Sequence, residues 1–256
     1  MNQCGALKKV FSTIKDLIDE ANLNWNDDGV SFQAMDSSHI ALVSVFLQGS
    51  GFDEYLCEKK TTLGLSFKSM DLILSTLKNE EKLVLSSSKD SDELCFDCRD
   101  KKGGFSTKFK MKLLDIDSEY LQIEDCKHDV EINMKSSDLR DLCKRFERMA
   151  GTDVEIKSLD NGSIQLTCNG DVTSSETVIN PSETTSIKIK QNVYVSYSLK
   201  YLLNFVKGSC FNCRVSLAIS NESPLVVKYI IDDENCKGTV HFYLAPKNII
   251  NDDDDD

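Results

Sequence analysis

The strongest constraint on this 256-residue chain is an internal repeat. Apolar residues at i, i+3, i+4 and i+7 mark one face of a helix. That template occurs at Leu7/Val10/Phe11/Ile14, Met70/Ile73/Leu74/Leu77, Leu139/Leu142/Cys143/Phe146 and Leu199/Leu202/Leu203/Val206. The first and third faces start 132 residues apart and the second and fourth 129 apart. The turn glycines Gly29 and Gly162 are separated by 133, and the strand-like runs from Leu83 and Val215 by 132. Similar offsets in one order predict an α+β unit present twice. Between the helices the pattern changes to period two. Phe105, Thr107, Phe109, Met111 and Leu113 alternate with Ser106 and three lysines, which predicts a half-buried strand. Val215, Leu217, Ile219 and the run Leu225–Ile230 predict a strand pair around Asn221–Pro224.

The expected boundaries follow from the repeat. Residues 1–114 and 131–251 form the two domains, 115–130 connects them, and 252–256 is an acidic tail expected to be disordered. The connector is acidic and lacks a sustained period, apart from the apolar Leu121 and Ile123. The first residues show a helix pattern and no continuous apolar leader, so an intracellular protein with reduced thiols is expected for the ten cysteines. No apolar run approaches the ~20 residues needed to cross a bilayer, so no membrane partner is expected.

Charge first points away from nucleic acid. The chain carries 30 Lys+Arg and 42 Asp+Glu, a net −12, whereas a nucleic-acid-binding domain is expected to be basic. The distribution changes that reading. Segments 6–20, 66–78, 136–150 and 198–207 hold eleven basic and seven acidic residues, so +4 sits on the helices and −16 elsewhere. Beside each apolar face, positions seven apart lie on one stripe. They are Lys8/Lys15, Asp71/Lys78, Arg140/Glu147 and Lys200/Lys207, with Lys144 and Arg148 extending the third. Singly these are ordinary solvated helix faces. Together they favour a weak surface that tracks phosphates without reading sequence, since Asn and Gln are scarce beside them.

Catalytic signatures are weak. Cys95/Cys98 and Cys210/Cys213 are Cys-x-x-Cys pairs, but the 115 residues from Cys95 to Cys210 far exceed a zinc-ribbon spacing. Neither pair opens a helix after a strand, the context that lowers a redox thiol's pKa. His39, His128 and His241 fall in no metal or nucleophile signature, and no phosphate-cradling glycine loop occurs. A non-enzyme without cofactor or metal is expected. A thiol redox enzyme using one of the Cys pairs is the competing reading from another class.

Several stretches carry a family resemblance: Gly29-Val-Ser-Phe-Gln-Ala-Met-Asp-Ser-Ser-His39, Gly51-Phe-Asp-Glu-Tyr55, Met111-Lys-Leu-Leu-Asp-Ile-Asp117, Ser198-Leu-Lys-Tyr-Leu-Leu-Asn204, Pro224-Leu-Val-Val-Lys-Tyr229 and Tyr243-Leu-Ala-Pro-Lys247. Nearly end to end, the chain resembles the proliferating cell nuclear antigen family of eukaryotic DNA sliding clamps. The resemblance implies a closed homotrimeric ring with two similar domains per subunit. Helices would line a hole for duplex DNA and sheets would form the rim. It implies a nuclear, non-catalytic processivity factor that tethers replicative DNA polymerase, the clamp loader, flap endonuclease, DNA ligase and other replication and repair proteins. Lys8, Lys15, Lys144, Lys200 and Lys207 match the family's basic DNA-facing positions, with Arg140 and Arg148 added from the stripe. Met35, His39, Ile40, Leu42, Leu121, Ile123, Pro224, Tyr243, Ala245 and Pro246 match its partner-peptide pocket. On their own pattern Met35, Ile40 and Leu42 read as core. Departures from the family pattern include Leu72 and Ser75 where relatives carry Lys, Asp141 for Arg, and Gln122 and Glu124 for Gly and Pro. A subunit of a heterotrimeric checkpoint-type clamp shares the fold and is the alternative reading.

Overall fold

The computed structural model describes residues 3–88, 91–100, 102–117, 128–233 and 236–247. The chain divides into two compact units. The N-terminal unit comprises residues up to Gln122 together with Ile230–Val240, and the C-terminal unit comprises Ile123–Tyr229 and the residues from His241 onward.

The N-terminal unit runs α1 (Gln3–Ile14), β1 (Glu20–Asn26), β2 (Gly29–Met35), β3 (Ala41–Gln48), β4 (Thr61–Ser66), α2 (Phe67–Thr76), β5 (Lys82–Ser86), β6 (Glu93–Arg99) and β7 (Ser106–Lys112). Its strands make antiparallel ladders in the orders β4-β1-β2-β3 and β5-β6-β7. The C-terminal unit runs β8 (Val130–Lys135), α3 (Ser136–Arg148), β9 (Asp153–Ser158), β10 (Ile164–Asn169), β11 (Ser174–Ile179), β12 (Ser186–Ile189), β13 (Tyr194–Ser198) and α4 (Leu199–Phe205). A short 3-10 helix (Val206–Cys210), β14 (Arg214–Ile219), β15 (Leu225–Asp233) and β16 (Cys236–Leu244) follow, with Ile230–Val240 of the last two strands assigned to the N-terminal unit. Its ladders run β13-β9-β10-β11 and β12-β8-β14-β15.

The order β4-β1-β2-β3 corresponds strand for strand to β13-β9-β10-β11, so the repeat seen in the residues is a repeat of topology. The first helix of each unit buries every apolar residue that its template marks. Leu7, Val10, Phe11 and Ile14 are buried, as are Leu139, Leu142, Cys143 and Phe146. Aromatic rings centre both cores. Phe67 lies 5.2 Å from both Phe11 and Phe32, and Phe205 stacks on Phe242 at 4.7 Å. The Ser66 side chain caps α2 by accepting from the Ser69 N–H at 3.4 Å. In α3, Asp138 in the first turn and Arg145 and Arg148 in the last complement the helix dipole.

The two turn glycines serve different needs. Both follow an Asn whose side chain accepts backbone N–H groups: Asn26 from Asp28 and Gly29, Asn161 from Ser163. A Cβ on Gly29 would lie 2.0 Å from the Leu47 carbonyl oxygen, whereas one on Gly162 meets nothing within 4 Å. Gly162 is needed only for its φ of +80°.

Two helices, α2 and α4, end one residue before their apolar templates do. Lys15 and Lys78 lie just past the ends of α1 and α2, and Lys207 lies in the 3-10 helix. Apolar burial continues through Leu77 and Val206 after α-helical hydrogen bonding has stopped, so an i+7 count overshoots. Phe105 and Leu113 fall one residue outside β7, and Val130 already belongs to β8. Leu121, Ile123, Gln122 and Glu124 lie outside the described residues, as does the tail.

Candidate nucleic-acid interface

The seven basic positions behave differently in the two units. In the N-terminal unit both lysines are drawn inward. The Lys8 ammonium donates to the carbonyl of Leu77, the residue that ends α2, where the helix dipole is negative. Lys15 pairs with Asp71 at 2.7 Å, and that hydrogen bond raises the lysine's pKa. The two contacts tie α1 to α2. Leu72 and Ser75 on α2 are exposed and uncharged.

In the C-terminal unit the cations face outward. Lys144, Arg148, Lys200 and Lys207 are exposed. Lys207 donates to Asn204 at 2.7 Å. The Lys200 ammonium sits 5.9 Å from the Tyr201 ring centroid. Arg140 is half-buried, reaching Asp141 at 3.3 Å and the Ser209 hydroxyl at 3.4 Å. Exposed cations missed by the stripe count include Lys9 on α1 and Arg145 on α3. Each sits next to a chosen residue but on the other flank of the apolar face, where a seven-residue spacing does not look. These groups can attract a polyanion electrostatically but offer little to read base edges.

The residues matched to a peptide pocket fall in different units. In the N-terminal unit Met35 and Ile40 are about 40% exposed, unusual for large apolar side chains, and flank a tight turn. Buried Asp36 organises it: one carboxylate oxygen accepts the N–H groups of Ile40 and Ala41, the other that of Ser38. His39 sits at the turn's apex with φ 55°, a left-handed conformation. Leu42 is buried in the core. In the C-terminal unit Pro224 is exposed and Tyr243, Ala245 and Pro246 are half-buried. The Tyr243 ring packs edge-on to His241 at 6.2 Å. Lys247, which follows, is anchored by an ion pair with Asp153 and a backbone bond to Ser196.

The cysteine pairs are arranged as strand and surface thiols. Cys95 and Cys98 lie in β6 on opposite faces, the second buried, and Cys210 and Cys213 are exposed beyond α4. Burial pushes the Cys143 thiol up to about 12 and raises that of Cys168, the reverse of an activated nucleophile. Among the described residues no helix is long and apolar enough to cross a membrane.

Two family models cover the chain. Residues 1–120 match the proliferating cell nuclear antigen N-terminal domain and residues 122–247 its C-terminal domain. The chain is 33% identical over 254 residues to proliferating cell nuclear antigen of Chaetomium thermophilum, covering 96% of each. It is also 33% identical over 262 residues to proliferating cell nuclear antigen 1 of Plasmodium falciparum, covering 96% of this chain and 95% of the relative. Both halves of the duplicated fold and nearly its whole length are thus accounted for by one family: the chain belongs to the proliferating cell nuclear antigens and is a DNA sliding clamp, a processivity factor of DNA replication and repair.

Proposed function

We propose that three copies of the chain close head to tail into a ring around duplex DNA, heterologous contacts closing by rotation. The observation that carries this reading is a pair of sheet edges rich in exposed apolar side chains. β7 ends one ladder of the N-terminal unit and β11 ends one of the C-terminal unit. Phe105 beside β7 and Val172 beside β11 are exposed, as is Val178 within β11. Edges of this kind are templates for strand addition. Pairing β7 of one copy with β11 of the next satisfies both edges and generates a ring.

In that ring Lys144, Arg148, Lys200 and Lys207 are the principal DNA-facing cations, with Arg140, Lys8 and Lys15 contributing less. Met35, His39, Ile40 and Leu42, with Leu121 and Ile123 of the connector and Pro224, Tyr243, Ala245 and Pro246, receive partner peptides. The exposed Met35 and Ile40 support this role. The partners are replicative polymerase, clamp loader, flap endonuclease and ligase, and the site of action is the nucleus. The chain itself performs no chemistry and acts as a scaffold.

Native mass measurement tests the ring: a trimer is expected, and a stable monomer across micromolar concentrations sinks the homotrimer in favour of a heterotrimeric clamp. Encirclement is tested by retention on circular or end-blocked DNA with release after linearisation. Equal retention on both forms means ordinary surface binding.

A further inference from the structure

Two Cys-x-x-Cys pairs share a spacing, and the backbone between the thiols sets them apart. Cys95 and Cys98 lie in β6, where three residues extend about 10 Å and end on the opposite face, beyond the reach of a disulfide. Cys210 instead closes the 3-10 helix. The next residue, Phe211, is still helical (φ −83°, ψ −43°), which shortens the same three-residue step. Both of these thiols are exposed. Residues 204–220 around them include Lys207 and Arg214 and no acid, in a chain of net −12.

The segment that carries the pair also holds the start of α3. Buried Ser136, the first residue of α3, donates its N–H to the Cys213 carbonyl at 2.9 Å and its hydroxyl to the Asn212 carbonyl at 2.6 Å. The first N–H groups of a helix have no partner within it, so the Cys213 carbonyl satisfies one that the helix leaves open. One turn further on, Arg140 donates to the Ser209 hydroxyl at 3.4 Å. Beneath the same segment lies Tyr229. Gly208 packs so closely on its ring that a Cβ there would lie 2.6 Å away, and Phe211 meets the ring edge-on at 6.2 Å. The Tyr229 hydroxyl is buried and has no partner among the described residues. Buried polar groups are nearly always satisfied, so this cover over Tyr229 is a weak point of the unit.

From this arrangement we infer that Cys210 and Cys213 form a reversible modification site for low-molecular-weight disulfides of the glutathione class. One thiolate attacks the small disulfide, forming a mixed disulfide and releasing one reduced thiol. The other thiolate attacks the protein sulfur of that mixed disulfide and expels the second. Two protein thiols become one disulfide, the small disulfide is reduced to two thiols, and the two protons leave with them. Lys207 and Arg214 favour an anionic reagent of this kind. The chain is modified here and turns nothing over. Closing the bridge reorients Phe211 and Asn212 between the two sulfurs. The Asn212 and Cys213 carbonyls then move away from Ser136, Phe211 lifts from Tyr229, and the buried hydroxyl reaches water. Oxidation thereby loosens the start of α3.

The probe is glutathione disulfide added to the full chain, followed by alkylation of the remaining thiols and mass measurement of the intact chain and its peptides. The expected results are loss of two hydrogen atoms, protection of both Cys210 and Cys213 from alkylation, and reversal by dithiothreitol. In the bridged form hydrogen exchange of residues 136–139 should quicken about fivefold, the loss of one hydrogen bond, with β9 and β10 unchanged. Cys213→Ser should trap a glutathione adduct on Cys210. If that variant does not fold, the measurements on the unmodified chain decide. Thiols that stay reduced in excess glutathione disulfide overturn the inference, as do two stable adducts with no bridge. A bridge that leaves exchange at α3 unchanged also overturns it. DNA association of the bridged chain should weaken about threefold, an effect that rests on the proposed DNA-facing role of α3. Faster exchange at α3 with DNA association unaltered would support the modification site and count against that role.

Discussion

Lys15 and Asp71 in the N-terminal unit and Glu147 and Lys200 in the C-terminal unit occupy corresponding places in the repeat with their signs exchanged. The first pair forms an ion pair that joins α1 to α2. Lys200 makes no ion pair among the described residues and faces outward with Lys144, Arg148 and Lys207. The same two helices thus use charge to hold themselves together in one unit and to present a cationic surface in the other. The fold tolerates both because its stability rests on the apolar faces, which are buried in each copy. An exposed or half-exposed ion pair adds little, about 0.5 kcal/mol for Lys15–Asp71 once solvent screening is allowed for.

Three differences between the units can be broken deliberately. The largest effect is expected at the turn glycines. Gly29→Ala drives a methyl group into the Leu47 carbonyl and should cost about 3 kcal/mol or more, since the obstacle is backbone and cannot swing away. Gly162→Ala adds a methyl group in open space and pays only the left-handed backbone penalty, about 1 kcal/mol. Urea denaturation of the two variants separates these values. Equal losses would mean that the turns are equivalent and the contrast is wrong.

The next effect is on DNA. Replacing Lys144, Arg148, Lys200 and Lys207 by Ala should weaken salt-sensitive DNA association by on the order of 10²-fold and flatten its salt dependence. The Lys8→Ala/Lys15→Ala variant should change DNA association less than about threefold, because both ammonium groups are already engaged within the unit. It should instead loosen α1 against α2, seen as faster hydrogen exchange in α1. Asp71→Ala sharpens the point. It releases Lys15 and should strengthen DNA association slightly while lowering stability, an opposite-signed pair of outcomes that an ordinary surface carboxylate would not give.

The repeat and the apolar helix faces were legible in the residues because burial of a helix face imposes a local period of 3.6. The strand runs at Leu83 and Val215 were legible for the same kind of reason. What those runs pack against was not. Leu83 and Val215 carry the same pattern, and only the presence of β8 beside β14 separates a buried strand from an open edge. Likewise Lys8 and Lys15 were readable as basic positions. Their capture by Leu77 and Asp71 depends on α1 and α2 lying together, contacts made 69 and 56 residues away along the chain. The stripe beside α3 stays exposed at Lys144 and Arg148, while its Arg140 reaches Asp141 and Ser209. Of the matched pocket positions, Leu42 shows how far an alternating pattern reaches: β3 buries it regardless of function.

The smallest effect concerns pH and falls on the C-terminal unit. Burial lowers the pKa of His128, with nearby Lys190 acting in the same direction and Glu131 and Asp129 opposing. Burial also lowers that of His241, helped by Lys228. Both folded-state values lie below the free-imidazole value of 6.5, so on acidification the unfolded chain takes up these protons first. The stability contribution is therefore complete above pH 6.5 and is lost as pH falls through the folded-state values. Between pH 7.5 and 5.5 the melting temperature should drop by no more than about 3 °C, since both rings are only half-buried. His241→Gln should remove part of that drop. Hydrogen exchange at pH 5.5 should quicken around β8 and β16 and leave β1–β4 unchanged. Acid loosening that began in β1–β4 would show that the pH response belongs to the other unit and that these imidazoles do not govern it.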